Sequence, residues 1–141
     1  MSGEFVIGDP MPDQAFILVP VPADRNALLD RMVQVLAVRF DGLGRAERTP
    51  DGLALWVDGW VVRGQFVEEP HVLAEAQEIV DRFGADRPDA PVVRTYSARL
   101  EISCDADPTM DHFNDYLFVC EALSGLDGAV AFDLAEPAFW R

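Results

Sequence analysis

The dipeptide Asp58-Gly59 separates two apolar runs, residues 53–57 and 60–68. A two-residue Asp-Gly connection between such runs predicts a type I′ hairpin, because that turn needs positive φ at both central positions. Two antiparallel strands are therefore expected around it. The preceding residues 45–49 meet the pair through Pro50-Asp51-Gly52, another turn sequence, so the hairpin becomes a three-stranded meander. Trp56 and Trp60 flank the Asp-Gly turn, and a cross-strand aromatic contact is expected there.

Helical and extended patterns alternate around this meander. Residues 15–21, AFILVPV, form a short apolar run, read as a buried strand. In the next segment Leu28, Leu29, Met32, Val33, Leu36 and Phe40 recur at helical spacing. Asp24 is placed to cap that helix, and Gly42 with Gly44 ends it. Residues 70–83 carry a second such stripe, with Pro70 in the first turn and Gly84 as the stop. Residues 92–104 alternate apolar and polar, which predicts one long half-buried strand. A third helix is expected over 108–123 and a last strand over 129–134. The order β-α-β-β-β-α-β-α-β implies the α+β class: one mixed, largely antiparallel sheet with about three helices on one face. A ferredoxin-like core is the specific expectation.

The chain of 141 residues, half of them apolar, suits one domain spanning 1–141, with 1–13 expected to be irregular. No run is long and apolar enough for a membrane helix, and the acidic N-terminus lacks signal-peptide character. A cytoplasmic location follows as the expectation. Cys104 and Cys120 make no disulfide framework and read as buried thiols. There are 25 acids and 11 basic residues, and every basic residue is arginine. Without lysine, a Schiff base or a Walker-type phosphate loop is excluded. The net charge of −14 argues against nucleic-acid binding through phosphates. Between Leu100 and Trp140 nine acids occur with no arginine at all.

That acidic half opens with EISCDADPTMDHFNDY, residues 101–116. A strand followed by Asp105-x-Asp107-x-Thr109 is similar to the nucleophile motif of haloacid-dehalogenase-like phosphatases. That family places the motif on the first strand of a larger parallel domain and needs a downstream lysine, whereas here only 32 residues follow Thr109 and the chain has no lysine. A calcium loop starting at Asp105 would want Gly and Glu where Met110 and Tyr116 stand. Asp111, His112 and Asp115 share a helix face at metal-capable spacing, yet a metal site recruits ligands from a second element as well, so no metal or cofactor is expected. A helix start explains more: Asp107 before Pro108 is placed as N-cap, with Asp111 in the first turn.

The DPTMDHFNDYLFVCEAL helix and the strand after it, within residues 101–133, resemble in overall style the small acidic immunity proteins of bacterial toxin–immunity pairs. The resemblance implies a non-catalytic interaction protein that neutralises a basic toxin through an acidic surface. Asp105, Asp111, Asp115 and Glu121 are the partner-binding candidates. The alternative is a small enzyme or ligand-binding domain using Asp111, His112 and Asp115, with Arg99 and Glu101 nearby. A homodimer through an open sheet edge or the Trp60 hairpin is a third possibility.

Overall fold

The computed structural model describes residues 13–140. The expected irregular segment 1–13 lies outside these residues except for Asp13, which opens the first strand. In chain order the elements are β1 (Asp13–Val19), α1 (Arg25–Arg39), β2 (Arg45–Thr49), β3 (Gly52–Val57), β4 (Trp60–Val67), α2 (Pro70–Phe83), α3 (Ala90–Val93), β5 (Ala98–Cys104), α4 (Phe113–Leu123), β6 (Val130–Asp133) and β7 (Ala138–Phe139). The α+β reading holds. One seven-stranded sheet runs in the order β2-β3-β4-β5-β1-β6-β7.

The sheet was expected to be mixed and largely antiparallel, and every strand pair in it is antiparallel. The strands β6-β1-β5-β4, each antiparallel to its neighbour and with α1 and α4 packed on one face, follow the order of the expected ferredoxin-like core, with β2 and β3 added at one edge and β7 at the other. The Asp58-Gly59 turn forms as expected, with φ of 50° and 82°. The tryptophans beside it do not meet. Trp56 pairs with Val61 and Trp60 with Val57, and alternate residues point to opposite faces. Trp56 lies under the Arg45 guanidinium instead, 4.4 Å from it, while Trp60 stacks on His112.

The helices cover both faces of the sheet rather than one. On the front face, Ile17, Leu55, Val62, Leu100 and Ile102 pack against Leu29, Met32 and Leu36 of α1 and Val119, Cys120 and Leu123 of α4. On the back face, Phe16, Leu18, Val130 and Phe132 pack against Ile79 and Val80 of α2 and Val93 of α3. Adjacent residues of β1 thus belong to different cores. Asp24 caps α1 as expected, its carboxylate accepting from the Ala27 N–H at 3.1 Å.

Two expected elements start later than their patterns suggest. The long strand begins only at Ala98, because residues 90–93 form a helical turn, with Val93 N–H donating to the Asp89 carbonyl. Pro91 suits that first turn. The third helix begins at Phe113 rather than 108. Met110 adopts φ of 63°, a left-handed conformation that no continuous helix can contain.

Candidate interaction surface

The segment 105–112 joins the end of β5 to the start of α4, and its side chains have very different surroundings. Asp105 is a strut. Its N–H donates to the Val61 carbonyl at 2.9 Å, and its carboxylate accepts from the Val61 N–H at 3.2 Å. The Arg63 guanidinium donates to the same carboxylate at 3.0 Å, and the Trp60 indole N–H donates to the Asp105 carbonyl at 3.0 Å. Asp105 thus ties the β3–β4 hairpin to the end of β5.

Asp107 does not cap a helix beginning at Pro108. Its carboxylate accepts from the His112 N–H at 3.0 Å, and its carbonyl accepts from the Met110 N–H at 3.0 Å. Both bonds close the loop on itself, and Met110 at the bend is left 60% exposed. His112 stacks on Trp60, ring centres 4.7 Å apart and planes 3° from parallel. Its Nδ1 lies 3.0 Å from an Asp115 carboxylate oxygen. Asp111 is exposed and has no partner among the described residues, and the same holds for Glu121 farther along α4.

The four partner-binding candidates therefore separate. Asp105 and Asp115 are engaged within the fold, while Asp111 and Glu121 are exposed and unengaged. Asp111 takes no part in the His112–Asp115 contact, so those three residues do not converge. Among the described residues no three histidine, cysteine, aspartate or glutamate side chains are placed to hold a metal ion.

Arg99 and Glu101, on the back face of β5, form a closed network. The Arg99 side chain is 4% exposed and lies 3.6 Å over the Phe16 ring. It donates to Glu75 of α2 at 2.6 Å and to Glu101 at 2.9 Å. Burial near Glu101 raises the Asp13 carboxyl above its ordinary value. Cys104 and Cys120 are buried in the front core, and desolvation pushes both thiols up to about 12. Thiols held that far above neutrality stay protonated and are poor nucleophiles.

Glu121 leads to a feature that the sequence did not disclose. With Asp133 at the end of β6 and Glu136 in the following turn, it lines a recess of 460 Å³ walled by Phe139 and Trp140. The last expected strand ends at residue 134, yet Ala138 and Phe139 of the tail EPAFWR also pair, with Asp133 and Phe132. The short apolar run Ala138-Phe139-Trp140 was the available signal, and two paired residues are too few to read from pattern alone.

No family model, no curated protein and no solved structure matches the chain. No helix among the described residues is long and apolar enough to cross a membrane.

Proposed function

We propose that the chain is a non-catalytic interaction protein that binds a basic protein partner through the side carrying α4. An immunity protein that neutralises a basic toxin is the closest functional type. One observation supports this above the others. Of the nine acids between Leu100 and Trp140, the described arginines reach only Glu101, Asp105 and Asp127. Among the described residues, Asp107, Asp111, Asp115, Glu121, Asp133 and Glu136 have no guanidinium partner. They lie on α4, the loop before it, the end of β6 and the β6–β7 turn.

A partner's cations would supply the missing counter-charges, steering encounter and fixing orientation. Apolar contact is available beside them. Met110 is 60% and Phe113 45% exposed, next to Asp111. Apolar anchors within a polar rim are the usual anatomy of a protein interface. The left-handed backbone of Met110 costs on the order of 1–3 kcal/mol, and strain of this kind concentrates at binding sites.

The test is a comparison of two charge-matched variants against the partner captured from the native host. One carries Asp111→Asn, Glu121→Gln and Glu136→Gln; the other Asp41→Asn, Asp58→Asn and Glu68→Gln. All six residues are exposed and lie outside the ion pairs of the fold. The first variant should associate more slowly and with a flatter salt dependence. Equal losses in the two would reduce the effect to bulk charge and overturn the proposal.

A further inference from the structure

β7 is the last strand of the sheet, with no described strand on its outer side. Its backbone orientation follows from one hydrogen bond. The Trp140 N–H donates to the carbonyl of Ala131, the residue directly opposite, at 2.8 Å. Polar groups of successive residues in an antiparallel strand point to alternate sides. The N–H and C=O of Phe139 therefore point away from β6, toward the open edge.

The two faces beside that edge differ in chemistry. On the front, Ala138 pairs with Asp133, and Trp140 packs edge-on against Tyr116 of α4. This is the face of the recess bearing Glu121, Asp133 and Glu136. On the back, Phe139 pairs with Phe132, which also meets Phe83 of α2, their ring centres 5.3 Å apart. A second recess of 810 Å³ opens here, with Phe83, Pro88, Pro137 and Phe139 as its apolar wall and Asp86, Arg87 and Asp89 at its charged side. Its one guanidinium, Arg87, is already held by both oxygens of Asp89 at 2.8 Å and lies 4.8 Å over Phe139. The two recesses share Ala138, Phe139 and Trp140.

We infer that β7 accepts a further strand: an extended segment of a protein partner in which basic and apolar residues alternate. Side chains of an added strand alternate between the faces of the sheet. Basic residues then enter the front recess, where three carboxylates and the Trp140 indole favour a cation. Apolar residues enter the back recess against Phe83 and Phe139. The main chain bonds to the outward N–H and C=O of Phe139, as in other strand-addition complexes. This inference rests on the basic-partner reading and adds the mode of recognition.

The experiment uses two eight-residue peptides of equal composition, one alternating arginine and valine, the other four arginines followed by four valines. Fluorescence anisotropy measures their binding to the full chain, and hydrogen exchange follows the Phe139 amide. The alternating peptide should bind at least about tenfold tighter. It should slow exchange at Phe139, and Glu136→Lys should weaken it. Equal binding of both peptides with Phe139 unprotected would overturn strand addition and leave the basic-partner reading standing. Failure of both peptides to bind would also overturn strand addition, while the on-rate comparison above would still decide the basic-partner reading by itself.

Discussion

The imidazole of His112 lies parallel to the indole of Trp60, 4.7 Å from it, and joins the loop before α4 to the tip of the β3–β4 hairpin. Aromatic pairs of this kind contribute about 0.5–1.5 kcal/mol beyond the area they bury. A double-mutant cycle with Trp60→Leu and His112→Ala should return a coupling energy in that range. Additive losses in urea unfolding would mean that the stack contributes nothing of its own.

Asp105→Ala should lower stability and leave partner binding intact. The substitution strips the acceptor from the Val61 N–H, and an unsatisfied backbone donor costs about 1–3 kcal/mol where water cannot replace the acceptor. The Arg63 contact adds little, because both side chains are partly exposed. Unfolding curves measured beside binding curves separate this role from that of Asp111, whose loss should do the reverse.

Gly52 and Gly59 should fail on substitution for different reasons. A Cβ on Gly52 would fall 1.8 Å from the Gly64 carbonyl oxygen, so Gly52→Ala forces the β3–β4 pair apart. Overpacking of this kind costs about 1–3 kcal/mol or more. Around Gly59 there is open space, and only its φ of 82° opposes a side chain. Gly59→Asn should therefore be milder than Gly59→Val, because Asn tolerates the left-handed region. Equal melting temperatures for those two would contradict the turn geometry.

The buried thiols give stability a pH dependence at the alkaline end. An unfolded cysteine ionises near pH 8.5, whereas Cys104 and Cys120 stay protonated in the fold up to about 12. Between those values the unfolded chain binds fewer protons than the native one, so unfolding becomes easier as pH rises. The contribution is fully present below about pH 8.5 and is lost on the way to 12. Replacing both cysteines by alanine should flatten this part of the stability profile. Native protein at pH 8 should also resist alkylation until it is unfolded.

Much of this architecture is legible where a single residue decides the local geometry. Asp58-Gly59 dictates its turn, and Asp24 its cap. The two-sided core was within reach as well: the unbroken apolar run Ala15–Val19 leaves no polar face for β1, which is the pattern of a strand buried on both sides. Other elements were hidden by ambiguity. The apolar residues Val92 and Val93 join the alternating run that follows with no break before it, and only Pro91 argues against an early strand. At the candidate surface the sequence located the acidic segment but could not rank its members. Asp105, Asp107, Asp111 and Asp115 are chemically alike, and what separates them is whether Val61, Arg63 or His112 comes within reach. Those contacts depend on the tertiary fold.

The central position of β1 also bears on how the protein is made. The meander β2–β3–β4 closes between near neighbours in the chain and can form early. β1 pairs with β5 and β6, so Phe16 meets Glu101 and Phe132 across most of the sequence. During synthesis from the N-terminus, β1 must stay unpaired until its two flanking strands have left the ribosome. Contacts of such long range fold slowly. The apolar Ala15–Val19 run is then the segment most exposed to wrong association, and the nascent chain most needs protection there.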